Sequence, residues 1–174
     1  MLKKWKKLKE VPYKTNFRKM SKVTFKLPNG LVHDFDIVRG ARVASILALT
    51  KQDKVIIAKQ YRPGPDKVLY EMPAGMIDEN ESPIKAAARE LLEETGYKGQ
   101  LKLVGKSFSS AYRSGASYSF IAKNCVKVSE PKTDATEFIE VKLISIEQFK
   151  NNLKKGLLTD TASGYQALDY LGLL

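Results

Sequence analysis

Cysteine and histidine are almost missing from this 174-residue chain, which holds one of each, Cys125 and His33. A lone thiol excludes an internal disulfide and a Cys-rich zinc site, and a lone imidazole leaves no His/Cys set for a soft or borderline metal. Long apolar runs are missing too. No window approaches the roughly 18 to 20 uninterrupted apolar residues that a membrane span needs, so no membrane partner is expected. No apolar stretch follows the first lysines, as it would in a secretory signal. Repeats and low-complexity linkers are also lacking, and a cytoplasmic protein is the plain reading. What is present is 43% hydrophobic and 28% charged residues, a balance that excludes collagen, a coiled-coil rod and a wholly disordered chain. A chain of this size buries roughly 70% of its unfolded surface and folds without a covalent staple.

Acidic residues are scarce, 19 against 30 Lys and Arg, for a net charge of +11. The imbalance is local. Residues 1–26 carry ten Lys/Arg and a single acid, Glu10, so nine of those eleven charges sit there. The rest of the chain is nearly neutral. We therefore divide it into a basic N-terminal arm, residues 1–20, and one domain, residues 21–174. The arm is expected to be a solvated segment or edge strand; an anionic partner such as RNA is the other reading.

Alternation of apolar and polar residues marks the first strands. Lys22–Leu27 and Leu31–Val38 flank the turn Pro28-Asn29-Gly30 and read as a hairpin. Residues 41–50 form an apolar run suited to a strand covered on both faces, and 54–61 return beside it. The Pro63-Gly64-Pro65 stretch is loop, and 68–72 is a short strand. A helix then starts at Ser82-Pro83, with Ile84, Ala87, Ala88, Leu91 and Leu92 as its apolar stripe, and stops at Gly96. Strands follow at 101–107, 118–122 and 137–143. A second helix opens with the capping box Ser145-Ile-Glu-Gln148, and a third spans about 161–171. The order predicts an α/β or α+β domain built on a mixed sheet.

The segment carrying chemistry is residues 75–97. Glu90, Glu93 and Glu94 are spaced three and four apart and leave one face of the helix. Near the helix C-terminus the backbone dipole does not favour them. A hard divalent cation, Mg²⁺ or Mn²⁺, turns that liability into a binding site. Arg89 is placed to pair with Glu93 one turn on or to reach back to Glu81. A lone E-L-L-E-E is usually a solvated face. The full spacing is not: Gly75, five residues, Glu81, seven residues, then Arg89-Glu90-Leu91-x-Glu93-Glu94-x-Gly96 and a final apolar position held by Tyr97.

This pattern resembles the signature of the Nudix hydrolase family and fills each of its fixed positions, with Tyr97 the one loose match. Gln60-Tyr61-Arg62 and Glu71-Met72-Pro73-Ala74-Gly75 are similar to flanks of its ADP-ribose pyrophosphatase branch. The resemblance implies a mixed β-sheet sandwiched between helices. It also implies metal-dependent hydrolysis of ADP-ribose or a related nucleoside diphosphate sugar to two monophosphates. By carry-over, Glu90, Glu93, Glu94 and the carbonyl of Ala74 would hold metal, while Arg62 and Glu71 would contact the nucleotide substrate. Gly75, Glu81, Arg89 and Gly96 would shape the motif. Enzymes of this branch are commonly homodimers built through N-terminal strands, so a homodimer is expected.

Two departures bear on substrate and base. Where the branch often carries D-E-x-E, this chain has Asp134-Ala135-Thr136-Glu137. Glu137 is the first candidate for the general base, with Asp134 and Glu93 in reserve. The stretch 109–118 lacks the branch's acid and offers Arg113, either a phosphate contact or a solvated loop arginine. His33, far from the motif, is expected to be structural. The rival functions are hydrolysis of an oxidised nucleotide, a dinucleoside polyphosphate or an RNA 5′ end, and a non-catalytic nucleotide- or RNA-binding module. The intact glutamates oppose the module, and the flanks oppose RNA.

Overall fold

Strand alternation dominates the computed structural model, which describes residues 3–15, 18–133 and 138–174. The chain forms two compact units. The first comprises residues 1–41 and 108–116. Its antiparallel sheet has the order β1 (Lys6–Lys14), β2 (Lys19–Lys26), β3 (Val32–Arg39). The hairpin expected around Gly30 is β2–β3; Gly30 takes φ +86° and the Asn29 side chain accepts from the Leu31 N–H at 3.1 Å. The basic arm is therefore an edge strand over Lys6–Lys14. Trp5, Phe25, Phe35 and Tyr112 cluster with ring centroids 5.5 to 6.1 Å apart, Phe35 and Tyr112 stacked and the other pairs edge-on or tilted, and His33 lies edge-on to Phe35 at 4.9 Å. That contact gives His33 a packing role.

The second unit holds residues 42–107 and 117–174. Its sheet comprises β4 (Val43–Thr50), β5 (Val55–Arg62), β6 (Lys67–Glu71), β7 (Ala74–Met76), β8 (Tyr97–Ser107), β9 (Ser117–Lys127) and β10 (Glu140–Ile144). The main path runs β10-β5-β4-β9-β8, with β6 on β5 and β7 on β4. Only the β4–β9 pair is parallel among these described strands. Among the described residues three helices cover this sheet: α1 (Pro83–Thr95), α2 (Ile146–Lys154) and α3 (Thr161–Tyr170).

Side chains two apart on a strand share a face, and that sorts the core. Ala44, Ile46, Ala48, Ile56, Phe120 and Ala122 pack with Ala86, Ala87 and Leu91 of α1. Their neighbours Leu47, Leu49, Val55, Ile57 and Ile121 pack with Phe149 and Leu153 of α2 and with Ala167 and Leu168 of α3. The sheet is thus sandwiched by helices, as expected, and β4 is buried on both faces because each face has its own helix layer. The capping box of α2 is formed, Ser145 and Gln148 exchanging bonds of 3.1 and 2.9 Å.

Several boundaries differ from the sequence reading. The buried face of α1 is Ala86, Ala87, Leu91, Glu94 and Thr95, while Ile84 is 49% exposed. Ala88 is exposed as well, Leu92 is half-buried, and Glu94 takes an inward place on this face, bonded to the backbone N–H of Ala74. Strands β8 and β9 are each 11 residues long, longer than their apolar patterns, since cross-strand hydrogen bonds extend past the buried part. Strand β10 spans Glu140–Ile144; the expected start at 137 lies outside the described residues. Among the described residues no helix is long and apolar enough to cross a membrane.

Candidate active site

The short strand β7 sets the geometry. Ala74, Gly75 and Met76 pair with Ser45, Ala44 and Val43 of β4, and α1 follows after the loop 77–82. Strand and helix thereby form the walls of one cleft of about 490 Å³. It is lined by Arg62, Ala74, Gly75, Met76, Asp78, Arg89, Glu90, Glu93, Glu94 and Lys132. The metal-ligand candidates are thus gathered in one place, together with Arg62.

Arg89 organises the acids. Its guanidinium donates to both oxygens of Glu81, Nε to Oε1 at 3.1 Å and Nη2 to Oε2 at 2.9 Å. Nη1 donates to Glu90 at 2.7 Å and to Glu93 at 3.1 Å, and Nη2 also reaches the Met76 carbonyl at 2.9 Å. Both pairings foreseen for Arg89 are therefore made at once. These carboxylates raise the Arg89 pKa. In turn the hydrogen bond from Arg89 holds the Glu81 carboxyl below the usual carboxylate range. Arg42, which the motif reading did not single out, braces the same loop by donating to the Asp78 carbonyl at 3.2 Å.

Glu94 is 6% exposed and accepts from the Ala74 N–H at 3.1 Å, tying the helix to β7. Glycine at 75 leaves room for the Glu90 carboxylate. A Cβ there would sit 2.0 Å from the Glu90 carboxylate, closer than any real contact. Gly96 ends α1 at φ +76°, donating to the Leu92 carbonyl at 2.8 Å, in the left-handed conformation that glycine adopts freely. Gly75→Ala should leave folding almost intact, because the flexible end of Glu90 can swing away. Displacing that carboxylate should nonetheless lower kcat by about 10- to 100-fold, in line with the effect of misplacing a reacting group by 1 Å. Activity assays and urea melts on the same preparation check both halves.

Arg62 of β5 and Glu71 of β6 are four positions apart in the strand register, and their side chains meet along the paired strands. Arg62 donates through Nε at 2.9 Å and through Nη2 at 2.6 Å to the two oxygens of Glu71. Gln60 adds a bond to Glu71 at 3.1 Å. Glu71 is 5% exposed, so it serves as the buried anchor of Arg62, while Arg62 itself reaches the cleft. The sequence reading did not single out Asp160, which occupies the N-cap position of α3 without a side-chain capping bond. Burial pushes its carboxyl above the usual range, and the charge of Glu71 adds to the effect.

Other candidates fall elsewhere. Arg113 belongs to the first unit, where its side chain lies against Gly40 and residue 113 bridges to Val38. Asp134 and Glu137 lie outside the described residues. Cys125 is buried, and burial pushes its thiol up to about 11.

The carboxylates and the carbonyl in the cleft are hard oxygen donors, a set that suits a divalent cation. Among the described residues no three Asp, Glu, His or Cys side chains converge to hold an ion as placed. Glu90 and Glu93 are instead turned to Arg89, and Glu94 to Ala74. The Glu93 side chain is 45% exposed and lines the cleft while paired with Arg89.

Comparison with known proteins gives the family of the chain. Residues 39–163 match the NUDIX domain family. The chain is 31% identical over 150 residues to the ADP-ribose pyrophosphatase of Bacillus subtilis, covering 84% of this chain and 80% of that protein. It is 32% identical over 157 residues to the ADP-ribose pyrophosphatase of Saccharomyces cerevisiae, covering 78% and 67%. A crystal structure of an ADP compounds hydrolase superposes with a TM-score of 0.84 at 19% identity, covering 100% of this chain and 99% of its own. That last likeness is one of fold.

Proposed function

Because the chain belongs to the Nudix family, we propose that it hydrolyses the pyrophosphate bond of ADP-ribose or a related nucleoside diphosphate sugar, giving two monophosphates. The observation that carries this reading is the cleft in which Glu90, Glu93 and Glu94 stand with Ala74 and the anchored Arg62. Its volume suits a small nucleotide. Nudix hydrolases use a divalent metal, and the carboxylate set favours Mg²⁺, with Mn²⁺ as substitute. When bound, such a cation neutralises charge on the phosphates and activates water.

The chain's own residues do the rest. Glu90, Glu93, Glu94 and the Ala74 carbonyl would hold the cation, and Arg89 keeps the carboxylates and the loop in register. Arg62, oriented by Glu71, would bind the nucleotide or its phosphates. A carboxylate must take the proton of the attacking water, a step typically worth about 10²- to 10⁴-fold. We assign that role first to Glu137. Glu137→Gln should lower kcat more than Asp134→Asn does, with KM little changed, as for a group acting in the transition state. If Asp134→Asn is the more damaging, or neither matters, Glu93 takes the role.

The function is tested by incubating the protein with Mg²⁺ and a panel of ADP-ribose, other sugar nucleotides, dinucleoside polyphosphates, nucleoside triphosphates and 5′-triphosphorylated RNA. AMP and ribose 5-phosphate from ADP-ribose are the expected products. Turnover restricted to triphosphates or RNA ends would overturn the assignment. We also propose a homodimer formed through the first unit, where Leu8 and Val11 of the edge strand β1 are 47% and 44% exposed. Sedimentation would then give twice the 19.5 kDa chain mass. A cytoplasmic location fits an enzyme acting on intracellular nucleotides with one unpaired thiol.

A further inference from the structure

Three cationic side chains line the carboxylate cleft: Arg62, Arg89 and Lys132. Two of them are already committed. Arg62 is engaged by Glu71, and Arg89 is shared among Glu81, Glu90 and Glu93. An arriving phosphate must compete with those carboxylates for either guanidinium. Lys132 differs, since among the described residues its ammonium makes no ion pair. Its side chain is exposed. Its backbone, however, is pinned: the Lys132 N–H donates to the Glu93 carbonyl at 2.7 Å. The root of a flexible four-carbon stem is thus fixed at the end of α1 that bears the glutamates.

We propose that Lys132 binds the diphosphate of the substrate and so determines the affinity of this cleft for nucleoside diphosphate derivatives. A compact ammonium with three donors suits a phosphate oxygen whose position shifts from one substrate to another. It also supplies charge without stripping a cation from Glu71 or Glu81. A lysine that shares the cleft with Glu90, Glu93, Glu94 and Asp78 also opposes metal loading. Its removal therefore has opposite effects on the two ligands: phosphate binding weakens, and metal binding is unchanged or strengthened. A merely structural lysine would not separate them.

The inference rests on the proposed function, and its test keeps the two apart. In the full-length protein with Mg²⁺, Lys132→Gln should raise KM for ADP-ribose by about tenfold, the weight of one charge-assisted hydrogen bond to a phosphate. Turnover at saturation should change by less than about twofold, because the contact is made equally in ground and transition states. Lys132→Arg should restore most of the affinity. By calorimetry, the variant should bind AMP about tenfold more weakly and adenosine as tightly as wild type, with a Mg²⁺ activation midpoint no higher. Unchanged KM and AMP affinity would overturn the role of Lys132 while leaving hydrolysis in place. If wild type cleaves no nucleoside diphosphate derivative, the functional reading fails, and AMP binding still decides Lys132 on its own.

Discussion

Glu90→Gln is expected to lower kcat for ADP-ribose by at least about 10²-fold, the order lost when a metal-assisted hydrolase is deprived of part of its cation site. The substitution removes one charge and almost nothing else. Glutamine and glutamate have similar helix propensities, and the amide oxygen can still accept from Arg89, as Glu90 does at 2.7 Å. Glu94→Gln should lose activity comparably, since its amide oxygen can still accept the Ala74 N–H that Glu94 holds at 3.1 Å. Urea midpoints close to wild type would show that the loss is chemical. Equal activity of either variant and wild type at saturating Mg²⁺ would remove these glutamates from the cation site.

Arg89→Met is expected to act on folding first. The side chain ties Glu81, Glu90, Glu93 and the Met76 carbonyl into one network. Methionine keeps the stem and the helix propensity but leaves three carboxylates facing one another. The Arg89 side chain is 31% exposed, so water screens part of that repulsion. A loss of about 2–4 kcal/mol in unfolding free energy follows from the hydrogen bonds to charged groups that vanish. Because a divalent cation that binds only the folded state stabilises it by mass action, saturating Mg²⁺ should recover part of the loss. Arg89→Lys should not rescue fully, because an ammonium lacks the planar fork that meets both oxygens of Glu81. A variant as stable as wild type in the absence of metal would show that the network contributes little.

Much of this protein is legible in one dimension because its strongest signals are local. The 75–97 spacing names the carboxylates, and the apolar run of β4 announces a strand buried on both faces. The Ser145-Gln148 pair places the start of α2. In each case the residues that interact lie within a turn or two of each other, or repeat with the period of their own element. The failures are non-local. Apolar pattern alone cannot fix the length of β8 and β9, because hydrogen bonds to a partner strand hold exposed residues in register as firmly as buried ones.

The same distinction runs through the candidate site. The sequence by itself determined which carboxylates share a helix face, that Gly75 and Gly96 punctuate the motif, and that hard oxygen ligands dominate. Only the tertiary structure decided that Arg62 is anchored by Glu71 across β5 and β6, and that Gly75 yields its Cβ space to Glu90. It alone brought Lys132 to the end of α1, through a backbone bond that spans 39 positions of sequence, from Glu93. The physical reason is range. Helix faces and caps are set by neighbours a few residues away, whereas a cleft is assembled from strands and loops whose pairing depends on chain closure and burial, which no short window of residues encodes.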